Sequence, residues 1–280
     1  MEHVFWEMHP PRPYSLELTA LSHGWVNLAP FSWTEGVLKR REAVCPTGSI
    51  TELAVRQVSD DKLEVQATSL DALTKHDQEV LTRRLTRSLG FDLDLGPVVP
   101  LAMELDTSVA ALLEAGGGRF LRGTTLFEDA AKTLFTTNTS WASTRRMVEN
   151  LLEFGRESTF PTAAELQVHD EEHFRTRLKI GYRARYLVEM VRLFLTAGSD
   201  REIIEGPILG LGDYGLSHVR FLSWDFGRIP VDSEVRKYMA TCYGIRSDDE
   251  IHAAFADWGD YALLGYKLQR QARNLNWIGG

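Results

Sequence analysis

Apolar and polar residues alternate along much of the first 70 positions, and then the period changes. Tyr14-Ser-Leu-Glu-Leu-Thr, Gly36-Val-Leu-Lys, Thr51-Glu-Leu-Ala-Val-Arg-Gln-Val and Lys62-Leu-Glu-Val-Gln-Ala each place apolar side chains on every second residue, the signature of half-buried strands. Ser59-Asp60-Asp61 between the last two reads as a hairpin turn. Trp6, Trp25 and Trp33 are expected to pack on this sheet. Over residues 71–95 Leu73, Val80, Leu81, Leu85 and Leu89 share roughly one helical face, with Asp71 as the expected cap and Gly96-Pro97 as the break. From about residue 100 the pattern is helical. It predicts helices over 107–114, 126–135, 141–154, 163–166, 171–178, 183–196, 234–243 and 248–273, with the poor helix formers 136–140 separating the second from the third. Strands first and helices afterwards predict an α+β chain: an antiparallel β-rich domain over 1–100 and an all-helical domain over 101–280.

Composition narrows the setting more than the function. The chain has 280 residues and no apolar run long enough for a membrane span, and its acidic N-terminus lacks the apolar core of a signal peptide. Cys45 and Cys242 are far apart and form no metal-ligand cluster, which fits a reduced, cytoplasmic location. A formal net charge of −8 argues against a nucleic-acid partner unless a local basic surface exists. Arg175, Arg177, Lys179, Arg183, Arg185 and Arg192, with Arg145 and Arg146, form such a stretch in sequence. Each reads equally as part of a solvated face, and Arg183 and Arg185 also as partners of neighbouring helices.

The most informative segment runs from Glu205 to Arg236. Gly210-Leu211-Gly212 is a turn whose backbone N–H groups are unshielded by Cβ atoms, so a phosphate can approach closely. The helix that follows adds its N-terminal partial charge, with Asp213 as the expected cap. The same glycines also suit a plain helix–helix turn. Further on, Pro230-Val231-Asp232 opens another helix, which Asp232 is placed to cap.

Together these residues resemble the helix-hairpin-helix DNA glycosylases of base-excision repair. Within that superfamily the resemblance is to the branch of the 8-oxoguanine DNA glycosylases and 3-methyladenine DNA glycosylase II, which carry a β domain before the helical body. Five matches in family order support it: Leu121-Arg122-Gly123 with Phe127-Glu128; Thr136–Ala142; Phe160-Pro161-Thr162 with Gly181–Tyr186; Leu209–Gly212; and Pro230-Val231-Asp232. The resemblance implies a monomer acting on double-stranded DNA that contains a damaged base. Gly210, Leu211 and Gly212 would dock the DNA, with hairpin carbonyls of Gly210 and Gly212 holding a monovalent cation, and Asp232 would be the catalytic carboxylate. Asn138 falls where the family fills the gap left by a flipped base, although it also suits a helix break.

The departure from the family lies at Tyr214, where bifunctional members carry the lysine that attacks the sugar. A phenol forms no Schiff base, so a monofunctional enzyme using water is expected. No C-terminal four-cysteine cluster is present, so no iron–sulfur centre is expected. The family's base-gripping positions are occupied by Tyr266 and Arg270. Tyr266, with Trp224 second to it, is the candidate to stack on an alkylated base. Trp141 reads as core before pocket wall, and His218 as a core histidine before a pocket residue. A protein that keeps the fold and binds lesions without chemistry is the competing expectation. A helical hydrolase of small molecules has no residues that build its site.

Overall fold

A computed structural model of the chain describes residues 1–44 and 49–275; Cys45 lies outside them. Strands β1 (Glu2–Met8), β2 (Ser32–Thr34), β3 (Val37–Val44), β4 (Ser49–Ser59) and β5 (Lys62–Ser69) form one antiparallel sheet in the order β1-β5-β4-β3-β2. Strict alternation along β3 and β5 buries one face. Register sets Trp6, Val65, Val55 and Leu38 in a buried row across four strands. The turn at Asp60-Asp61 joins β4 to β5 as expected. Strand β1, which no alternation singled out, adds an edge.

The stretch Tyr14–Thr19 is not a strand. Ser15 caps a short helix, α1 (Leu16–Ala20), accepting from the Leu18 N–H, and Leu16, Thr19 and Ala20 are buried. Six residues are too few for the period to decide between the two readings. Helix α2 (Lys75–Ser88) begins later than expected because Thr74, not Asp71, caps it, in a reciprocal box with Asp77.

The helical body follows: α3 (Val98–Leu105), α4 (Thr107–Glu114), α5 (Leu126–Thr136), α6 (Trp141–Leu152), α7 (Ala163–Leu166), α8 (Glu171–Leu178), α9 (Arg183–Thr196), α10 (Asp200–Glu205), α11 (Asp213–Phe221), α12 (Ser233–Tyr243), α13 (Asp248–Ala254) and α14 (Ala262–Asn274). The expected helix over 248–273 is broken by Gly259, whose φ of 53° lies outside the helical range. The chain turns there so that Gly265 packs face-on against the Trp258 indole, where a Cβ would come within 2.4 Å. Among the described residues no helix is long and apolar enough to cross a membrane.

Helix α5 is buried from Leu126 to Phe135, charged residues included, and ties the sheet to the body. Glu128 accepts from Lys132 at 2.6 Å and from Arg40 of β3 at 3.1 Å; Arg40 also pairs with Glu42, which Arg84 of α2 reaches at 2.7 Å. Burial alone would raise the Glu128 carboxyl, but Arg40 and Lys132 overcome it and hold it down at about 2. Breaking one member of such a buried network leaves an uncompensated charge, which costs about 3–5 kcal/mol. The apolar core is likewise continuous from sheet to helices.

Candidate active site

Helices α10 and α11 are joined by the turn that carries the Gly-x-Gly segment. Gly210 sits at φ 90°, and its Cα lies so close to Tyr186 of α9 that a Cβ would fall 2.5 Å from the ring. Gly212, not Asp213, is the N-cap of α11, and it has no side chain to offer. The first-turn amides of Asp213, Tyr214 and Gly215 therefore have no hydrogen-bond partner among the described residues. Such a helix end, with unspent N–H groups and a positive partial charge, is suited to an anion.

Beside the turn opens a cavity of about 1090 Å³. Its outer wall is made by Asn138, Trp141 and Tyr182, its middle by Gly210, Leu211, Gly212, Tyr214 and Asp232, and its inner end by His23, Trp25, Phe120, His218, Phe221 and Lys267. Asp232 is half-buried and caps α12: one carboxylate oxygen accepts from the Val235 N–H at 2.8 Å. The cap fixes the carboxylate while its second oxygen has no partner among the described residues. Tyr214 is 41% exposed, and burial together with the nearby Asp232 charge raises its phenol.

Asn138 is exposed at the tip of the loop between α5 and α6, at φ 46°, a left-handed conformation that asparagine tolerates. Burial would raise the Tyr182 phenol, but its neighbours Thr137, Asn138 and Arg183 lower it. Arg183 is only 7% exposed. Its guanidinium forks onto the backbone oxygen and the hydroxyl of Thr137, so it props the Asn138 loop from behind and is not available to a phosphate. Arg185 is exposed but lines a separate cleft with Arg192 and His169.

Several other expectations need correcting. Trp141 is no core residue: it is 41% exposed and its indole lies against Gly24. Trp25 is not a sheet aromatic but a cavity wall, donating its indole N–H to Asp129 at 2.9 Å. Trp224 lies away from the cavity with the Arg122 guanidinium 3.9 Å above its ring. Tyr266 is 1% exposed and packs in the core against Tyr238 and Phe255. The basic stretch is partly neutralised, since Arg175 pairs with Glu171, Arg177 with Glu153 and Arg192 with Glu189. These exposed pairs are worth about 0–1 kcal/mol each, so they reduce the local charge without fixing it.

The residue that sequence reasoning missed is Lys267. It comes from α14 with Arg270, Gln271 and Asn274, a polar stripe at i, i+3, i+4 and i+7 on a helix whose Leu263, Leu264 and Leu268 are buried. That stripe was the available signal. Burial lowers the Lys267 amine to about 8; Arg270 adds to the shift and Asp232 opposes it. Burial likewise takes His23 down to about 3 and His218 well below the ordinary range, with the Lys267 charge reinforcing both. Both imidazoles are thus neutral near pH 7.

The whole chain shares the fold of solved DNA glycosylases. It superimposes on 3-methyladenine DNA glycosylase from Archaeoglobus fulgidus with a TM-score of 0.71 at 17% identity, covering 96% of this chain and 99% of that one. MBOgg1, solved with a low-affinity DNA ligand, gives 0.66 at 16% identity over 99% and 100% of the two chains. The 8-oxoguanine glycosylase/lyase of Clostridium acetobutylicum, bound to duplex DNA with cytosine opposite 8-oxoguanine, gives 0.56 at 16% identity over 89% and 99%. No protein-family model and no curated protein matches the sequence.

Proposed function

We propose that this protein is a monofunctional DNA glycosylase that acts as a cytoplasmic monomer on duplex DNA containing a damaged base. The observation that carries the reading is Asp232: a carboxylate held by its own helix cap, with one oxygen unspent, in the wall of a cavity beside the free amides of α11. The α11 amides take a backbone phosphate. The Gly210 carbonyl has no hydrogen-bond partner among the described residues, and that of Gly212 accepts only from the Leu216 N–H, so both have lone pairs for a monovalent cation. Such a cation would bridge the hairpin to the phosphate. Asn138, at the mouth, enters the stack as the base leaves it.

In the reaction the bond from C1′ to the base nitrogen breaks and its electron pair leaves with the base. Positive charge builds on the sugar, and the Asp232 carboxylate offsets it. At about 4 Å and an effective dielectric of about 20 this is worth roughly 4 kcal/mol, or about a thousandfold in rate. Water adds its oxygen to C1′ and loses a proton to Asp232, which returns it through solvent to the departed base. Tyr214 occupies the place of the family's attacking amine and contributes none, so no strand cleavage accompanies base release.

The test is a panel of duplexes, each with one damaged base, treated with alkali after incubation to reveal abasic sites. At least one lesion should be released, Asp232→Asn should release it about a thousandfold more slowly, and borohydride should trap no covalent adduct. Binding without release would instead identify a lesion-binding protein that has lost the chemistry, and an adduct would place an amine nucleophile in the cavity.

A further inference from the structure

The inner end of the cavity carries polar groups that the reaction above leaves unused. Lys267 is half-buried, with its ammonium 5.5 Å from the centre of the Phe221 ring, and makes no hydrogen bond or ion pair with any described residue. His218 is 8% exposed, and neither of its ring nitrogens has a partner. His23 places one ring nitrogen 3.2 Å from the Ser22 hydroxyl and leaves the other, Nε2, buried and unpartnered. These groups lie among Trp25, Phe120 and Phe221: Trp25 stacks on His23 and Phe221 on His218, and Phe120 meets His23 and Phe221 edge-on. Buried polar atoms without partners are uncommon in native proteins, and three ring nitrogens on two neighbouring histidines, plus an unpaired ammonium, point to a ligand.

The chemistry of that ligand follows from the donors and acceptors. A neutral imidazole offers one N–H and one lone pair; an ammonium offers only N–H groups and a full positive charge. A flat ring bearing carbonyl oxygens and ring N–H groups satisfies both. A ring that is itself cationic meets the Lys267 charge with like charge in a site largely shielded from water. Of the cavity's carboxylates, Asp232 acts on the Lys267 charge from a distance but forms no ion pair with it, and Glu234 is exposed.

We propose that Lys267, His23 and His218 are the base-reading residues, and that they select a neutral base bearing carbonyl oxygens, oxidised or deaminated, over a base made cationic by alkylation. This rests on the glycosylase reading. The same cation assists release. When the C1′–N bond breaks, a neutral base departs as an anion whose charge spreads onto its carbonyl oxygen, where the ammonium donates a hydrogen bond until water returns the proton. A cationic base departs neutral and gains nothing from Lys267. Burial keeps the lysine at about 8, low for an amine but high enough to be mostly protonated near pH 7.

Single-turnover release is to be measured from duplexes carrying 8-oxoguanine, hypoxanthine or uracil, and from duplexes carrying 7-methylguanine or 3-methyladenine. Wild type, Lys267→Met and Lys267→Gln are compared, each first shown by thermal melting to be folded. A carbonyl-bearing neutral base should be released roughly ten-fold faster or more than either cationic base. Lys267→Met should lose roughly ten-fold on the former and gain on 7-methylguanine. Equal losses on both classes, or a wild-type preference for the cationic bases, would overturn the assignment. If wild type releases nothing, the glycosylase reading fails, and the base-reading assignment is decided by equilibrium binding to the same lesions on 2′-fluorinated, uncleavable sugars. It stands if wild type prefers the neutral lesions and Lys267→Met does not, and it falls if wild type binds both classes alike.

Discussion

Gly210 and Tyr186 touch so closely that neither position tolerates growth: a Cβ on the glycine would stand 2.5 Å from the tyrosine ring. Gly210 also sits at φ 90°, which L residues rarely adopt. Gly210→Ala is therefore expected to destabilise the protein by about 1–3 kcal/mol in urea denaturation. Gly212 differs, since its φ is −71° and an added Cβ would meet nothing within 4 Å. Gly212→Ala should leave the urea midpoint unchanged and weaken duplex binding, measured by fluorescence anisotropy, because the methyl would stand where the proposed reading brings a phosphate.

Asp232 caps α12, and substitution can separate that role from the one proposed for it in base release. Asparagine caps helices about as well as aspartate. Asp232→Asn should thus keep its melting temperature and its duplex affinity while base release falls by about a thousandfold. Asp232→Ala should lose the same activity and a further ~1 kcal/mol of stability with the cap.

Arg183 tests what its positive charge is for. Lysine keeps the charge but cannot fork onto Thr137. Arg183→Lys should cost about 1–3 kcal/mol of stability and weaken duplex binding, with the slope of log affinity against log salt unchanged. Arg145 and Arg146 are exposed on α6 and form no ion pair among the described residues. If either meets a phosphate, its replacement by alanine should reduce that slope by roughly 0.9 without touching stability.

Two histidines held neutral predict acid sensitivity. Their ordinary value is 6.5, and His23 is held at about 3 and His218 well below the ordinary range. As pH falls below 6.5 the unfolded chain takes up protons that the native state refuses, so stability falls. Lowered carboxyls such as Glu128, ordinarily at 4.5, add their own loss only from about there downward. In denaturation measured between pH 6.5 and 4.5 the lowered histidines dominate the decline, His169 adding its share, and His218→Phe should flatten it in that window. Phenylalanine suits the aromatic surroundings, and the imidazole gives up no hydrogen bond within the protein.

The Lys267 amine predicts the pH dependence of release from the opposite side. With Asp232 raising it, Arg270 lowering it and both histidines uncharged, it loses its proton near pH 8. Single-turnover release of a neutral base should decline as pH rises through about 8, and Lys267→Met should be slow throughout and lack that decline.

What could be read from the sequence was what is local in it. β4 is signalled by an eight-residue stretch, β3 and β5 by shorter ones, and α4, α7, α8 and α9 fall at their expected positions. The hairpin and Asp232 lie within a few dozen residues of each other, so one stretch displays both. The inner cavity is assembled from α11, α14 and the segment around Trp25, and no local pattern joins them. On α14 the difference between core and cavity is a single residue. Successive side chains of a helix are turned by about 100°, so Tyr266 points into the core and Lys267 into the cavity. The break in the 248–273 stretch is not legible in sequence, because a glycine in a helical pattern is compatible with continuity until the turn at Gly259 and the packing of Gly265 on Trp258 are known.

The Trp25 indole, fixed by its hydrogen bond to Asp129, has a wider meaning. It arrives from a turn ahead of the main sheet strands, far in sequence from the hairpin and from Asp232. Part of what shapes the cavity is therefore written far along the chain from the hairpin and Asp232. Changes near residues 22–25 can alter the shape of the recess while leaving the docking turn and the carboxylate untouched, giving mutation a route to new preferences that does not pass through loss of reactivity.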